Sequence, residues 1–180
     1  MYLEETSLED FYIIKPKLHV DNRGYFLKNF YKSFFLNSGL EYNFTESYFS
    51  SSKKGIIRGL HFQFPPFDHV KLVSLLSGRA FDVVVDIRKN SSTYGSWEIV
   101  DLNLTTPKIL YIPKGFAHGF CSLEDRTILQ YMTTTEYKEE NDSGIKWDSI
   151  DIPWPTQDPI ISDRDENFIT FKDFESPFIK

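Results

Sequence analysis

The segment RGLHFQ, residues 58–63, places an arginine and a histidine among apolar residues in a β-rich run. Burying such groups without a partner costs about 1–3 kcal/mol, so they are either satisfied by neighbouring protein groups or directed at a ligand. Arg58 and His61 are three residues apart, and strict alternation along a strand would put them on opposite faces. Gly59 between them permits a β-bulge. We therefore predict that a bulge at Gly59 turns Arg58 and His61 toward one site.

The histidines favour acid–base chemistry over a metal site. His61 is followed two residues later by Gln63, and His118 by Phe120, so neither belongs to the H-x-H pair that metal-binding barrels commonly use. The one cysteine, Cys121, excludes a multi-cysteine zinc site and an intramolecular disulfide. The sequence also contains no G-x-S-x-G motif of a serine nucleophile, no phosphate-binding Walker loop and no dinucleotide-binding Rossmann fingerprint. What the sequence favours is a histidine base without metal or cofactor, oriented by a carboxylate and assisted by a cation that stabilises an oxyanion.

Short β-rich runs must position these groups. They include GIIRGLHFQ, VKLVSLLSG, AFDVVVDIR, AHGFCSL and TILQYMTTT, separated by Gly, Pro, Asn and Ser clusters. FYIIKPKLHV reads as a first strand, FYKSFFLNSGL as a short helix, and the Pro-rich tail PWPTQDPIISDRD as a loop with a further short helix. The spacing is that of a sandwich or barrel. No linker or repeat divides the chain, so we predict one all-β domain over residues 1–180.

Alternation within strands shows where polar groups could enter the interior of such a domain. Lys71 shares its face with Val73 and Leu75, and Tyr131 shares its face with Leu129. A lysine in that position either points into a core cavity or starts its strand at the rim and extends to solvent. Alternation alone leaves both interpretations open.

Composition excludes several classes of protein. A net charge of −6 gives no support to nucleic-acid binding as the main task. No apolar run approaches the roughly 20 residues needed to span a bilayer, and the N-terminus lacks a basic-then-apolar signal. The sequence therefore predicts a cytoplasmic protein without a membrane partner. Aromatic residues make up 17% of the chain, which favours strands and surfaces that stack on a flat ligand.

Seven fragments in order carry a resemblance to a known family. They are PKLHVDNRGYF, RGLHFQ, KLVSLLSGRAFDVVVDIRKNSSTYG, LYIPKGFAHGF, YMTTTEY, GIKWD and PIISDRD. In these the chain resembles the dTDP-4-dehydrorhamnose 3,5-epimerase family nearly end to end. The resemblance implies a double-stranded β-helix jelly roll of the cupin type with short peripheral helices. It also implies a homodimer that exchanges an N-terminal strand, and an enzyme of polysaccharide biosynthesis that uses no metal or nicotinamide.

The resemblance also implies roles for individual residues. His61 matches the general base, Asp165 its orienting carboxylate, and Tyr131 the acid, while Lys71 matches a residue that stabilises charge on the sugar carbonyl oxygen. Further positions match contacts to the nucleotide or the sugar: Arg23, which resembles an arginine reaching the partner subunit's site, Arg58, Gln63, His118, Tyr137 (nucleobase stacking), Asp142 and Arg164. The implied reaction converts dTDP-4-dehydro-6-deoxy-D-glucose to dTDP-4-dehydro-L-rhamnose through an enolate.

Three positions on the substrate side depart from the family pattern. Lys28 stands where the family commonly has Glu, Glu46 replaces a Gln, and Tyr48 replaces an Asn. A Glu and a Lys could have exchanged sides of the site as a pair, at positions 28 and 46, which would preserve the net charge. These changes leave open epimerisation at one carbon only and a CDP- or GDP-linked sugar. A sugar-binding cupin without turnover is an alternative of another class, and the presence of both His61 and Asp165 argues against it. The fragments RGLHFQ and SDRD disfavour a 3,4-ketoisomerase of the same fold. A metal-dependent oxygenase of the cupin type would be distinguished by bound iron in the purified protein.

Overall fold

Two antiparallel sheets face each other in the computed structural model, which describes all residues 1–180. The six-stranded sheet has the order β1-β2-β10-β7-β12-β5, and the five-stranded sheet has the order β13-β6-β11-β8-β9. Strands β3 and β4 form a separate hairpin. The bounds of the strands are β1 Tyr2–Glu5, β2 Tyr12–Lys15, β3 His19–Asp21, β4 Gly24–Phe26, β5 Glu46–Ser52, β6 Ile57–Gln63, β7 Lys71–Ser77, β8 Ala80–Asp86, β9 Trp97–Leu102, β10 Ile109–Ile112, β11 Phe116–Ser122, β12 Thr127–Thr133 and β13 Asp142–Gly144.

The helices are short and peripheral, as predicted. Helix α1 spans Lys32–Asn37, and the chain leaves it through Gly39, which has a φ of +69°. Helix α2 spans Asp163–Glu166 in the Pro-rich tail, and single 3₁₀ turns lie at Glu139–Asn141 and Phe171–Asp173. None of these helices has the length and apolar character that crossing a membrane requires.

The core lies in layers on both sides of the five-stranded sheet. Between the sheets, Val73 and Leu129 pack against Val84 and Phe120 in one buried cluster. On the outer side of the five-stranded sheet, residues such as Val83 pack under the C-terminal tail in a second cluster. Strand β8 is therefore buried on both faces, which explains the uninterrupted apolar residues Val83–Val85 at its centre.

The sequence located most strands but misjudged their ends. The predicted first strand FYIIKPKLHV is two strands, because Pro16 has no N–H to donate to a ladder and β2 ends at Lys15. The short edge strands β1 and β13 were not predicted. The bulge at Gly59 is confirmed: the pairing of β11 with β6 shifts register between His118, opposite His61, and Phe120, opposite Arg58.

At this bulge the backbones of β6 and β11 lie unusually close. A Cβ atom added at Gly119 would lie 2.8 Å from the carbonyl oxygen of Arg58 and 3.0 Å from Cα of Gly59. We expect Gly119→Ala to lower the free energy of unfolding by about 1–3 kcal/mol, because backbone atoms must shift to admit the methyl group. Urea denaturation would measure this loss. Gly39→Ala separates steric contact from backbone strain, since its added methyl group meets no atom within 4 Å although its φ of +69° disfavours any side chain. A Gly119→Ala protein as stable as the wild type would contradict the close approach.

Candidate active site

A cavity of about 410 Å³ opens between the two sheets. Its size suits a small-molecule ligand. Both Arg58 and His61 line it, which answers the question raised by RGLHFQ. Most of the predicted site residues line the same cavity: Glu46, Tyr48, Arg58, His61, Gln63, Lys71, His118, Tyr131, Tyr137, Asp142 and Arg164.

His61 is oriented by Asp165, as predicted. Nε2 of His61 lies 2.8 Å from Oδ2 of Asp165, whose side chain is only 4% exposed. Helix α2 fixes the carboxylate, because the Ser162 hydroxyl caps the backbone N–H of Asp165 at 3.2 Å. The backbone N–H of Gly59 also donates to Oδ2, at 3.0 Å. The bulge and the tail helix therefore converge on one carboxylate.

The charge states of this pair leave His61 free to act as a base. Burial would raise the pKa of Asp165, but the hydrogen bond and charge of His61, with the N–H of Gly59 and the guanidinium of Arg164, lower that pKa to about 2. An ionised carboxylate only accepts, so Nε2 of His61 carries the proton and Nδ1 holds the lone pair. Burial lowers the pKa of His61 more strongly than Asp165 raises it. The imidazole is therefore neutral at pH 7.

Arg164 is a second cation beside the histidine. Its Nη2 lies 2.8 Å from Nε2 of His61, and because both are donors the contact is repulsive and helps to lower the pKa of His61. Arg164 also pairs with Asp142 and, through Nε at 3.2 Å, with Asp165. The guanidinium is half exposed at the cavity, where it can meet an anionic ligand.

Lys71 points into the cavity, which settles the choice that strand alternation left open. The residue is only 8% exposed and forms no ion pair within 4 Å. Nζ makes one hydrogen bond, donated to the backbone oxygen of His61 at 3.1 Å, so two N–H donors stay available to a ligand. Burial lowers the pKa of Lys71 to about 8, although Asp142 and Asp82 oppose the shift. A buried, unpaired ammonium group is suited to an oxygen that becomes negative during reaction.

Tyr131 faces His61 from the opposite sheet. It is buried on β12, whereas His61 lies on β6, so the two side chains approach the cavity from opposite sides. Burial raises the pKa of Tyr131, which keeps the phenol protonated. Its ring stacks on Tyr48 with centroids 4.9 Å apart and planes 15° from parallel. Tyr48 therefore contacts the predicted acid directly.

His118 is held by a carboxylate that the sequence analysis did not place in the site. Nε2 of His118 lies 2.9 Å and 3.0 Å from the two carboxylate oxygens of Asp82, and both residues are buried. Burial raises the pKa of Asp82, while His118 and Lys71 oppose the shift. Asp82 shares the inter-sheet face of β8 with the core residue Val84, so its position in FDVVVD was an available signal.

Gln63 and Glu46 form hydrogen bonds with the backbone of the loops at the rim of the cavity. Gln63 accepts from the backbone N–H of Lys138 at 2.7 Å and donates to the carbonyl of Phe67 at 2.8 Å, so both ends of its amide are bound to protein. Glu46 accepts from the backbone N–H of Tyr137 at 3.0 Å. Tyr137 is 54% exposed at the rim, where a flat base could stack on it.

Arg23 and Lys28 do not reach the cavity of their own chain. The Arg23 side chain is 86% exposed on the β3–β4 hairpin and pairs with Asp21 at 2.5 Å. Lys28 lies at a separate surface depression beside Lys17. Within one chain Glu46 lies at the cavity and Lys28 at the separate depression, so the exchange of sides between a Glu and a Lys stays a prediction. Substrate contacts from Arg23 and Lys28 stay predictions that require a second copy of the chain.

His69, which the sequence analysis did not place in the site, also lines the cavity. It precedes Lys71 by two residues, and this spacing is the signal that could have identified it. No three or more His, Cys, Asp or Glu side chains group in an arrangement that could hold a metal ion.

The fold and the cavity define a class of protein. A neutral histidine oriented by a carboxylate, a buried ammonium group and an opposing phenol can remove a proton from carbon, stabilise the resulting oxyanion and return a proton from the other side. That combination in a jelly-roll cavity is the site of an acid–base isomerase.

Comparisons with known proteins give the family. The family model described as dTDP-4-dehydrorhamnose 3,5-epimerase matches residues 5–173. The chain is 42% identical over 176 residues to the dTDP-4-dehydrorhamnose 3,5-epimerase of Shigella flexneri, covering 96% of this chain and 97% of that protein. It is 45% identical over 169 residues to that of Methanothermobacter thermautotrophicus, covering 91% of each.

A solved structure agrees with these matches. It is the dTDP-6-deoxy-D-glucose-3,5-epimerase of Legionella pneumophila in complex with dTDP-4-keto-L-rhamnose, which superposes with a TM-score of 0.92 at 34% identity, covering 97% of this chain and 94% of that one. The chain belongs to the dTDP-4-dehydrorhamnose 3,5-epimerase family and is an isomerase with a cupin-type jelly-roll fold.

Proposed function

We propose that this enzyme epimerises dTDP-4-dehydro-6-deoxy-D-glucose at C3 and C5, giving dTDP-4-dehydro-L-rhamnose. The observation that carries the proposal is the placement of His61 and Tyr131 on opposite sheets across one cavity. Inversion at carbon requires a proton to leave from one face and return to the other. Two acid–base groups on opposite walls meet that requirement.

The reaction begins with proton transfer to His61. The C4 ketone acidifies the hydrogens on C3 and C5, because the electron pair left by the proton moves to O4 as an enolate. Nδ1 of His61 takes the proton, and the imidazolium is stabilised by the Asp165 carboxylate. The two free N–H donors of Lys71 stabilise the charge on O4.

The reaction ends with proton return from the other wall. The enolate carbon takes a proton from the Tyr131 hydroxyl, which inverts the centre and re-forms the ketone. Tyr131 then recovers a proton from solvent, and His61 releases one. Because burial raises the pKa of Tyr131, the phenol does not lose its proton to water and transfers it only to a strong base such as an enolate.

Charged groups at the mouth of the cavity are proposed to hold the nucleotide. Arg58 forms no ion pair and donates only to Ser52 Oγ at 3.1 Å and to the backbone oxygen of Ser51, so its charge is available to a diphosphate. Arg164 is the second candidate cation, and Tyr137 offers an exposed ring for stacking on thymine.

Proton NMR of dTDP-4-dehydro-6-deoxy-D-glucose incubated with the enzyme in D₂O tests this proposal. Deuterium should appear at both C3 and C5, with the L-rhamno product. Deuterium at one carbon alone would define a mono-epimerase, which is the second candidate because Tyr48, a departure from the family pattern, stacks directly on the proposed acid Tyr131. An absence of exchange would reject the dTDP sugar and lead to CDP- and GDP-linked 4-keto sugars.

The Tyr131→Phe variant should separate the two half-reactions. We expect deuterium still to enter the substrate from the His61 side, while formation of the inverted product falls about 10²- to 10⁴-fold, the usual contribution of a positioned acid. The same NMR assay measures both. Tyr94→Phe, at an exposed tyrosine outside the cavity, is the matched control. Inversion at the wild-type rate in Tyr131→Phe would assign the acid to another group.

We further propose that the chain acts as one domain, as a cytoplasmic homodimer, in a pathway of polysaccharide biosynthesis. The support for the dimer is the β3–β4 hairpin, which projects Val20 at 71% and Phe26 at 59% exposure with Arg23 beside them. Sedimentation equilibrium would test the dimer directly.

A further inference from the structure

One nitrogen of His69 has no hydrogen-bond partner in the protein although it is buried. Only two buried side-chain polar atoms in the chain share this property, Oγ of Ser50 and Nε2 of His69, and both residues line the active-site cavity. Ser50 lies close enough to the Tyr131 phenol to lower its pKa, so its hydroxyl has a polar neighbour. Buried polar groups nearly always find a partner, and Nε2 of His69 therefore needs an explanation.

The opposite nitrogen of the ring identifies which tautomer is present. Nδ1 of His69 lies 3.2 Å from Oγ1 of Thr135. The Thr135 hydroxyl donates its own hydrogen to the carbonyl of Phe67 at 2.8 Å, so toward His69 it can only accept. The hydrogen between them must then belong to Nδ1.

Gln63 is consistent with this assignment. Its amide nitrogen lies 3.1 Å from Nδ1 of His69, but its two hydrogens already have acceptors in the carbonyls of Phe67 at 2.8 Å and Glu136 at 3.3 Å. Every donor in this group is satisfied when Nδ1 of His69 carries the hydrogen. Nε2 therefore presents a lone pair.

His69 stays neutral, so this lone pair is always available. Burial lowers the pKa of His69 to about 3, with a further contribution from the Lys71 ammonium group. Lys71 follows two residues later in the same cavity wall and is the group proposed to bind the ketone oxygen. In a 4-keto-6-deoxyhexose the hydroxyl nearest that oxygen is the one on C3, followed by the one on C2, and either can donate a hydrogen bond to Nε2.

We propose that His69 binds the sugar by accepting a hydrogen bond at Nε2 from a ring hydroxyl near the ketone, and so contributes to sugar selection. This inference rests on the proposed function, because it takes the ligand to be a nucleotide-linked hexose. His69 would act on binding of the sugar and leave binding of the nucleotide unchanged.

Two variants separate the two ring nitrogens. The amide of Asn superposes on the Nδ1 side of a histidine, and the longer Gln reaches the Nε2 position. The probes are dTDP and dTDP-6-deoxy-D-glucose, which has no ketone and does not react, with affinities measured by calorimetry. We expect His69→Asn to bind the sugar nucleotide about tenfold more weakly with unchanged affinity for dTDP, and His69→Gln to restore most of the loss.

Other outcomes would overturn the inference. One is that His69→Asn binds the sugar nucleotide within twofold of the wild type. Another is that His69→Asn loses affinity for dTDP as much as for the sugar nucleotide, which would indicate a structural role. A ligand-side test needs no variant: the wild type should bind the 2-deoxy or the 3-deoxy analogue of the sugar about tenfold more weakly, and unchanged affinity for both would also reject the contact. If the wild type shows no epimerisation in D₂O but His69→Asn still loses affinity for the sugar, the proposed function fails and the His69 contact stands.

Discussion

Replacing His61 with asparagine is expected to lower deuterium exchange at both C3 and C5 by about 10²- to 10⁴-fold. The neutral imidazole is the group in the cavity that can take the proton, since Nε2 is bound to Asp165 and burial lowers the pKa of the ring. Asparagine keeps a polar side chain of similar reach but cannot act as a base near neutral pH. The rate of exchange followed by NMR in D₂O reports the proton-abstraction step alone, before any inversion.

Two comparisons make the result interpretable. Tyr94→Phe changes an exposed residue outside the cavity and should leave the exchange rate unchanged. Thermal unfolding of His61→Asn should remain cooperative, because the Asp165 carboxylate keeps its bonds to Gly59 and Arg164. If folded His61→Asn exchanged within about threefold of the wild-type rate, another residue would have to be the base.

Local patterns in the sequence were sufficient to bring Arg58 and His61 to one site, while they left the direction of Lys71 open. Alternation placed Lys71 with Val73 and Leu75, and the structure confirms that face as interior. The glycine between Arg58 and His61 predicted the bulge that brings both to one cavity. These inferences succeeded because strand alternation and glycine conformations act over a few residues.

Contacts between segments distant along the chain could not be predicted from local sequence patterns. Asp165 and His61 are 104 positions apart, and only the resemblance to a family connected them before the structure did. The bonds that engage Gln63 come from Lys138 and Phe67, which no spacing rule relates. His69 and Asp82 look ordinary in sequence because what distinguishes them is the cavity they share. The predicted substrate contact of Arg23 depends in addition on the position of a second chain.

The departures from the family pattern are concentrated on one strand. Glu46 and Tyr48 both lie on β5, at the edge of the six-stranded sheet, where one residue holds the Tyr137 loop and the other stacks on Tyr131. Under the proposed function, changes there would act on the nucleotide side and on the proposed acid, while the His61–Asp165 pair stays intact. This separation explains how one catalytic arrangement could serve different sugar nucleotides.

The second large effect is expected for Lys71→Gln, which should lower kcat by about 10²- to 10³-fold. Removing one preorganised oxyanion donor typically costs about 2.7–4 kcal/mol of barrier. Lys71 offers two free N–H donors and a positive charge that no carboxylate neutralises within 4 Å. Glutamine retains a donor without the charge, so the loss reports the electrostatic contribution. Lys172→Gln, at an exposed lysine outside the cavity, should have no effect.

The pH profile gives an independent test of the same residue. Only the protonated form of Lys71 stabilises the enolate, and burial lowers its pKa to about 8. The value of kcat/KM should therefore decline as the pH rises through about 8. On the acidic side it should fall only below about 6.5, because His61 must be neutral and its pKa lies beneath the ordinary value. In Lys71→Gln the alkaline decline should disappear while the acidic one persists. An alkaline decline that survives in Lys71→Gln would mean that another group, and not this lysine, carries the charge that stabilises the enolate.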